Sequence, residues 1–295
     1  MICGCIDIGS NTTRLLVAEP ADGRLRELLR QRAFTRIAKG LRRDDTIARK
    51  KIEEVAEVVA TQVRLARELG TETIRAVATA AIREAANQDE LTRAVAERAG
   101  VEVEILSDEE EARLAFVGAT NALEHPPEGD IAVIDVGGAS SEIAIGTIAD
   151  GVRASTSFRI GSGFLADSYL HDDPPTIAQL SQVRAHVAGV FEGFSLPMPE
   201  LAVAVGGSST SLRRLVGGVL DRESLERGLR ILATSSSEEI GRAFEIDPER
   251  VRLLTGGMLV LEEIADRLER PLMVGRGGLR EGVILEMLQA AGWAG

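Results

Sequence analysis

Cysteine is almost missing from this chain of 295 residues: Cys3 and Cys5 are the two it has. Two places apart on an extended segment, they point to the same face but stand roughly 6.5–7 Å apart, too far for a comfortable disulfide. Two thiols do not make a zinc site either, so both are expected to be buried and inert. Histidine is as scarce. His125, His171 and His186 are scattered, which leaves a histidine-rich metal site or a Ser-His-Asp triad without its parts. No Gly-Lys-Ser/Thr sequence occurs, and that excludes the P-loop class. No apolar run approaches the roughly 18 residues of a membrane-spanning helix. The start, Met1-Ile2-Cys3-Gly4-Cys5-Ile6-Asp7, lacks the basic opening of a signal peptide and meets an acid almost at once, so a cytoplasmic location is expected.

Positive charge is also short. Lysine and arginine number 34 against 46 acidic residues, a formal net charge of −12. That balance argues against a general binder of nucleic acid or anionic membranes. If the ligand is itself an anion, local arginines or a bound cation must overcome the repulsive field of the whole chain. Lysine occurs only at Lys39, Lys50 and Lys51, and arginine supplies the rest. Arginine suits forked contacts to phosphate, although genomic base composition accounts for the same bias.

With 44% hydrophobic and 27% charged residues the chain can bury a real core, and its length suggests two domains of about 100–200 residues. Short β-like runs open it, at Ile2–Ile8, Arg14–Glu19 and Leu25–Ile37. A helical pattern over Asp45–Leu69 follows, with Ile52, Val55, Val59, Val63 and Ala66 at helical spacing and Gly70 after its end. Strand Thr73–Ala78 leads to a short helix around Ala80–Ala86 and a second helix entered by a capping box, Asn87 with Glu90. Strand Val101–Leu106 and a helix from Ser107 to about Leu123 close this part. His125-Pro126-Pro127-Glu128-Gly129 reads as a linker. Beyond it the pattern restarts with strands Ile131–Val136, Glu142–Ile148 and Val152–Ile160, then helices. Later strand–loop–helix units are Leu201–Val205 into Ser208–Val216 and Pro271–Val274 into Leu279–Ala290. The expectation is an α/β protein with one lobe over residues 1–124 and another over 125–295, the last helix (about 279–291) packing back on the first lobe.

The chain contains a repeat. Ile6-Asp7-Ile8-Gly9-Ser10-Asn11-Thr12-Thr13 aligns with Ile134-Asp135-Val136-Gly137-Gly138-Ala139-Ser140-Ser141, and without a gap Ala21-Asp22-Gly23 falls on Ala149-Asp150-Gly151. Each copy reads as strand, Asp-x-Gly turn, strand, Asp-Gly hairpin and strand. Glycines let a backbone approach a ligand and turn N–H groups into a concavity, while Ser, Thr and Asn add donors. The aspartate ahead of each glycine is a carboxylate at the mouth of that concavity, suited to Mg²⁺ or its waters. Two such loops would clamp a phosphate chain with a metal; each is otherwise a tight turn that needs glycine.

These residues resemble the exopolyphosphatase / guanosine-pentaphosphate phosphohydrolase (Ppx/GppA) family, and the resemblance runs essentially the whole length. It implies two ribonuclease-H-like lobes of the actin-like ATPase (sugar kinase/actin/chaperone) superfamily. Ala78-Thr79-Ala80-Ala81-Ile82-Arg83-Glu84-Ala85-Ala86-Asn87 is similar to the family segment with a substrate-binding arginine, here Arg83. Leu106-Ser107-Asp108-Glu109-Glu110-Glu111-Ala112-Arg113-Leu114 is similar to its catalytic-glutamate motif, which falls on Glu110. Gly206-Gly207-Ser208-Ser209-Thr210 resembles its second glycine-rich loop, and Gly278-Leu279-Arg280-Glu281-Gly282 its closing signature. Departures are Ala139 for a usual glycine, Ser141 for threonine, Arg252 for aspartate and Gly275 for serine; Arg252 bears on substrate preference.

The resemblance implies a Mg²⁺-dependent hydrolase that releases terminal phosphate from inorganic polyphosphate, guanosine pentaphosphate or both. Glu110 would orient or deprotonate the attacking water; Ser107-x-x-Glu110 is equally the pattern of a helix capping box. Asp135 and Glu142, then Asp7, are the candidate metal ligands. Gly9, Ser10, Asn11, Thr12, Arg14, Arg83, Gly137, Gly138, Ala139, Ser140, Gly207 and Ser208 are the candidate phosphate contacts. Other readings stay open: a kinase of the same superfamily, a non-catalytic alarmone or nucleotide binder, and an actin-like assembly protein. A homodimer also stays open. Gly161-Ser162-Gly163-Phe164-Leu165-Ala166 matches a dinucleotide fingerprint, but the strand ending in an acid that should follow is missing. The acidic balance and a chain that stops soon after the closing helix lead to the expectation that short polyphosphates are favoured and released distributively.

Overall fold

A computed structural model describes residues 1–40 and 44–293. The chain divides into two compact units, one of residues 1–122 with 277–295, the other of 123–276. The second unit therefore ends before the last helix, which belongs to the first.

The first unit contains β1 (Cys3–Ile8), β2 (Thr12–Ala21), β3 (Arg24–Phe34), α1 (Arg49–Glu68), β4 (Thr73–Ala78), α2 (Ala80–Arg83), α3 (Gln88–Ala99), β5 (Val103–Ile105) and α4 (Asp108–Asn121). The sheet order is β3-β2-β1-β4-β5, with β1 antiparallel to β2 and parallel to β4. Every residue of β1 is buried because the sheet is covered on both faces. Side chains alternate along a strand. Ile6 and Ile8 face α1, whose Ile52, Val55, Val59 and Val63 complete that layer. Cys3 and Cys5, both free thiols, face the opposite layer, with Leu16, Ala18 and Leu114. The edge strand β3 keeps its arginines and glutamates exposed or half-exposed, which discourages pairing with another chain.

The second unit holds β6 (Ile131–Val136), β7 (Ser141–Thr147), β8 (Gly151–Phe158), α5 (Ser162–Tyr169), α6 (Ile177–Val190), β9 (Leu201–Val205), α7 (Gly206–Val216), β10 (Val219–Leu220), α8 (Arg222–Thr234), α9 (Ser237–Phe244), α10 (Pro248–Leu268) and β11 (Leu272–Val274). Its sheet order is β10-β11-β9-β6-β7-β8. Ala132, Ile134 and Val136 pack with Leu254, Met258 and Leu261 of the mostly buried α10. Among the described residues no helix is long and apolar enough to cross a membrane.

Both sheets open on the same antiparallel meander followed by a parallel strand, β1-β2-β3 then β4, and β6-β7-β8 then β9. The repeat reaches fine detail: a register shift lies between Val17 and Ala18 in one copy, and at the equivalent Ile145 and Gly146 in the other. The hairpin turns differ. Asp22 and Gly23 both take positive φ (51° and 74°), as a two-residue turn requires. The second turn is longer, and Thr147 and Asp150 bond each other's side chains across it.

One expected feature is absent. Asn87 makes no side-chain cap for α3; its Oδ1 accepts from the Ile47 amide at 2.8 Å and its Nδ2 donates to the Ile47 carbonyl at 3.1 Å. A tertiary clamp has displaced the local capping box. The Ser107 box, in contrast, is fully formed.

The last helix, α11 (Leu279–Ala290), packs on α4 and β1 and supplies Leu279, Val283, Ile284 and Leu288 to the layer over Cys3 and Cys5. The two helices approach through glycine. A Cβ on Gly282 would lie 1.9 Å from the Leu114 carbonyl oxygen, and one on Gly118 would lie 2.0 Å from that of Gly278. In an exposed helix Gly→Ala stabilises by about 1 kcal/mol. Here Gly282→Ala is expected to destabilise, by about 1–3 kcal/mol from overpacking against backbone. Urea unfolding checks the sign; a variant as stable as the parent would contradict this helix contact.

Candidate functional site

In the first unit the loop between β1 and β2 is closed by a hydrogen bond from the Gly9 amide to the Thr12 carbonyl at 3.1 Å. Its counterpart in the second unit runs from the Gly137 amide to the Ser140 carbonyl at 2.9 Å. The two glycine amides are thus taken up by their own turns, which corrects the expectation that they offer donors to a ligand. The donors come from the residues that follow. Ala38 donates to the Ser10 carbonyl and Arg36 to the Asn11 carbonyl, each at 2.9 Å. Gly163 and Phe164 donate to the Gly138 carbonyl at 2.9 and 3.0 Å, and Ser162 to that of Gly137 at 2.9 Å. A trans peptide points its N–H opposite to its C=O. The amides of Asn11 and Thr12 in one loop, and of Gly138 and Ala139 in the other, therefore point away from these returning segments. Ala139 contributes backbone alone, so its missing glycine matters little.

The same contacts explain Gly161-Ser162-Gly163. A Cβ on Gly161 would sit 2.5 Å from the Gly138 carbonyl carbon, and the Ser162 hydroxyl donates to the Gly137 carbonyl at 3.0 Å. These residues buttress the loop from behind; the first amides of α5 bond its carbonyls.

Register sets the charges beside each loop. Asp7 lies directly opposite Arg14, which lies opposite Arg32. Asp135 lies opposite Glu142, which lies opposite Ser157. Cross-strand partners share a face with Cβ atoms about 4.5–5.5 Å apart. The first row therefore combines one acid with two arginines, and the second sets two acids side by side. Arg14 donates from Nε to the Thr12 hydroxyl at 2.9 Å, which ties it to the loop. Asp7 is 9% exposed, and burial pushes its carboxyl above its ordinary pKa, against the pull of Arg14 and Arg280. Glu142 is buried and accepts from the Ser157 hydroxyl at 3.0 Å.

Asp135 is half-buried against Gly206, the first residue of α7. A Cβ on Gly206 would lie 2.0 Å from Asp135 Oδ1, and its φ is +80°. Only glycine fits there, and a helix N-terminus favours an acid. Gly207 follows, half-buried. Ser208 does not present its hydroxyl to the surface: it is fully buried, donates to the Val136 carbonyl at 3.3 Å and accepts from Arg250 at 3.4 Å. It fastens α7 to the end of β6, which corrects its expected phosphate contact.

Arg83 and Glu110 come together at the start of α4. Arg83 donates to the Leu106 carbonyl at 2.7 Å, to Asp108, and to Glu111 at 3.4 Å. Exposed Glu110 accepts from the Ser107 amide at 3.0 Å while the Ser107 hydroxyl accepts from the Glu110 amide at 3.2 Å. The capping role is thus occupied, and it leaves the carboxylate at the surface beside Arg83. Of the departures, Gly275 has a plain cause: a Cβ there would meet Val203 Cγ1 at 2.6 Å. Arg252 is exposed on α10, in a small pocket with Asp172, Asp173 and Ser237.

Gly206 and Arg280 fall inside the glycine-rich and closing motifs but carried no expected role of their own, and Arg250 falls in no motif. Local sequence gives no signal for the two arginines, since Arg250 stands between Glu249 and Arg252 and Arg280 stands beside Glu281.

Among the described residues no group of three or more histidines, cysteines or acids is arranged to hold a metal. The donor set, Asp135 with Glu142 and separately Asp7, is all hard oxygen. It fits Mg²⁺, which is commonly bound by one or two carboxylates with waters and substrate phosphates, and does not fit zinc.

The Ppx/GppA phosphatase family model matches residues 16–291. Exopolyphosphatase 2 of Mycobacterium tuberculosis is 28% identical over 96% of this chain and 97% of its own length. Exopolyphosphatase 1 of Mycobacterium leprae is 26% identical over 98% of this chain and 90% of its own. The crystal structure of the Aquifex aeolicus Ppx/GppA family member superposes with a TM-score of 0.83 at 28% identity, covering 100% of this chain and 99% of that one. The fold is that of the actin-like ATPase superfamily.

Gly206→Ala should force Asp135 aside, and in an Asp135→Ala background that clash is gone. Urea unfolding of the double-mutant cycle should return a coupling above about 0.5 kcal/mol, with the penalty of a left-handed alanine left in both backgrounds. Additive effects would show that the carboxylate does not rest on Gly206.

Proposed function

The chain belongs to the Ppx/GppA phosphatase family, and we propose that it hydrolyses terminal phosphoanhydride bonds of inorganic polyphosphate, short chains in preference, and of guanosine pentaphosphate. The observation that carries this reading is the duplicated loop. Each copy has loop amides turned away from its returning segment and a register-fixed aspartate beside them, equipment suited to phosphate groups. The net charge of −12 supports the short-chain preference, since phosphates outside the site meet an acidic surface.

In this reading the amides of Asn11 and Thr12, with Arg14, hold phosphate oxygens in the first unit, and those of Gly138 and Ala139 do so in the second. Arg83, fixed by three partners at the start of α4, orients the phosphate under attack. Glu110 receives a proton from the attacking water as the water oxygen bonds the terminal phosphorus. The bridging phosphoanhydride oxygen takes the electron pair and leaves with the shortened substrate, which releases phosphate. In the second unit Asp135 and Glu142 would hold Mg²⁺. Bound there, Mg²⁺ supplies charge neutralisation for the phosphates.

Phosphate release with Mg²⁺ from tripolyphosphate, long polyphosphate, guanosine pentaphosphate and ATP tests this. Tripolyphosphate and guanosine pentaphosphate should be turned over more efficiently than long chains, without any acceptor. Glutamine at the third helical position still closes a capping box. Glu110→Gln therefore removes the base and keeps the cap. Its rate should fall by about 10²–10⁴-fold, with unfolding free energy within about 0.5 kcal/mol of the parent. Near-normal turnover would return Glu110 to a purely structural role.

Asp135→Asn and Glu142→Gln each remove a hard anionic ligand, and each should raise the Mg²⁺ concentration needed for half-maximal rate. An unchanged Mg²⁺ titration in either variant would remove that residue from the ligand set.

A further inference from the structure

Arg280 lies in the first turn of α11 and is 9% exposed. The layer it enters is defined by strand alternation. Cys5 and Leu16 face α11, and one step of two residues toward the loop places Asp7 and Arg14 on that same face. The charges that act on Arg280 are those of Glu281, Arg14, Arg30 and Asp7, two of them of its own sign.

No described residue makes a hydrogen bond to the Arg280 side chain or an ion pair with it within 4.0 Å. The adjacent acid is engaged elsewhere, since Glu281 accepts from Arg30 at 3.0 Å. Other arginines around this helix are paired. Arg75 holds Glu104 and Glu286, Arg113 holds Glu286, and Arg83 holds Asp108 and Glu111. A buried guanidinium without a partner, near two others, destabilises the fold. Nor can it withdraw: Gly118, Gly278 and Gly282 lock this turn of α11 to the backbone of α4.

We propose that Arg280 is a phosphate-binding residue of the first unit, holding with Arg14 one phosphate group of the substrate beside the Ser10–Thr12 loop. The proposal rests on the reading of the chain as a polyphosphate hydrolase and adds a residue to it. A guanidinium presents planar, forked donors that match phosphate oxygens, and one anion between two guanidiniums neutralises both. Because the group is held rigidly before the anion arrives, little reorganisation opposes binding. No covalent step is assigned to it.

Calorimetric titration of inorganic tripolyphosphate, in EDTA and again with Mg²⁺, is the test, with melting temperatures taken alongside. Arg280→Met should weaken tripolyphosphate binding in EDTA by at least about 10-fold, as expected for one charge-assisted contact. Its melting temperature should equal or exceed that of the parent, because an unpaired buried charge has been replaced by an apolar chain. Arg280→Lys, which keeps the charge but loses the fork, should bind with intermediate affinity. Parent-like affinity in Arg280→Met overturns the proposal. So does a lowered melting temperature in Arg280→Met together with parent-like affinity in Arg280→Lys, which would make the charge structural. A parent protein that binds tripolyphosphate but releases no phosphate overturns the hydrolase reading and leaves Arg280 standing. A parent that binds none, with or without Mg²⁺, overturns both.

Discussion

One hydrogen bond, made twice, governs the chemistry-bearing part of this molecule: a glycine amide donating to the carbonyl three residues on. Gly9 bonds Thr12 and Gly137 bonds Ser140, and each bond turns a central strand back on itself within a short loop. That reversal sets the strand register, and register decides which side chains meet. Because a slip of one residue would send every side chain to the other face, Asp7 is held opposite Arg14 and Asp135 opposite Glu142. The segments that return after β3 and β8 then bind loop carbonyls and set the direction of the amides.

The two copies share this frame and diverge in their charges. Arg14 and Glu142 occupy equivalent positions, so the first loop stands beside a mixed row and the second beside a pair of acids. Like charges directly opposed across a sheet destabilise it by about 0.2–1 kcal/mol. Gly206 and Ser157 nevertheless crowd and bond these carboxylates into place. A local conflict maintained by specific neighbours marks a site shaped by function more than by folding. Arg280 belongs to the same category in the first unit, with the opposite sign.

Much of this was legible in the chain. The gap-free match between residues 6–23 and 134–151 predicted two similar meanders, and the structure extends the match to the strand bulges. Leu279–Ala290 was read with its true limits. What escaped was whatever depended on a distant partner. Asn87 with Glu90 has the local form of a capping box, yet Ile47 claims its amide. Ser208 sits in a glycine-rich segment, but Val136 and Arg250 claim its hydroxyl. Gly9 and Gly137 have the composition of donor loops, but a turn needs their N–H groups first. Arg280 stands beside Glu281 in the sequence, and only the pairing of Glu281 with Arg30 distinguishes it from an ordinary ion-paired residue.

The last helix carries a kinetic implication. Cys3 and Cys5 on the first strand are covered by Leu279, Val283, Ile284 and Leu288 near the other end of the chain. Contacts of such separation in sequence form late, because a long loop must close before they are rewarded. During synthesis the second unit, continuous over residues 123–276, has all its parts before the first does. The usual order, N-terminal domain first, is reversed here. Until α11 emerges, that layer keeps Leu106 and Leu114 but lacks Leu279, Val283, Ile284 and Leu288, and the incompletely covered face of the first sheet is prone to aggregation.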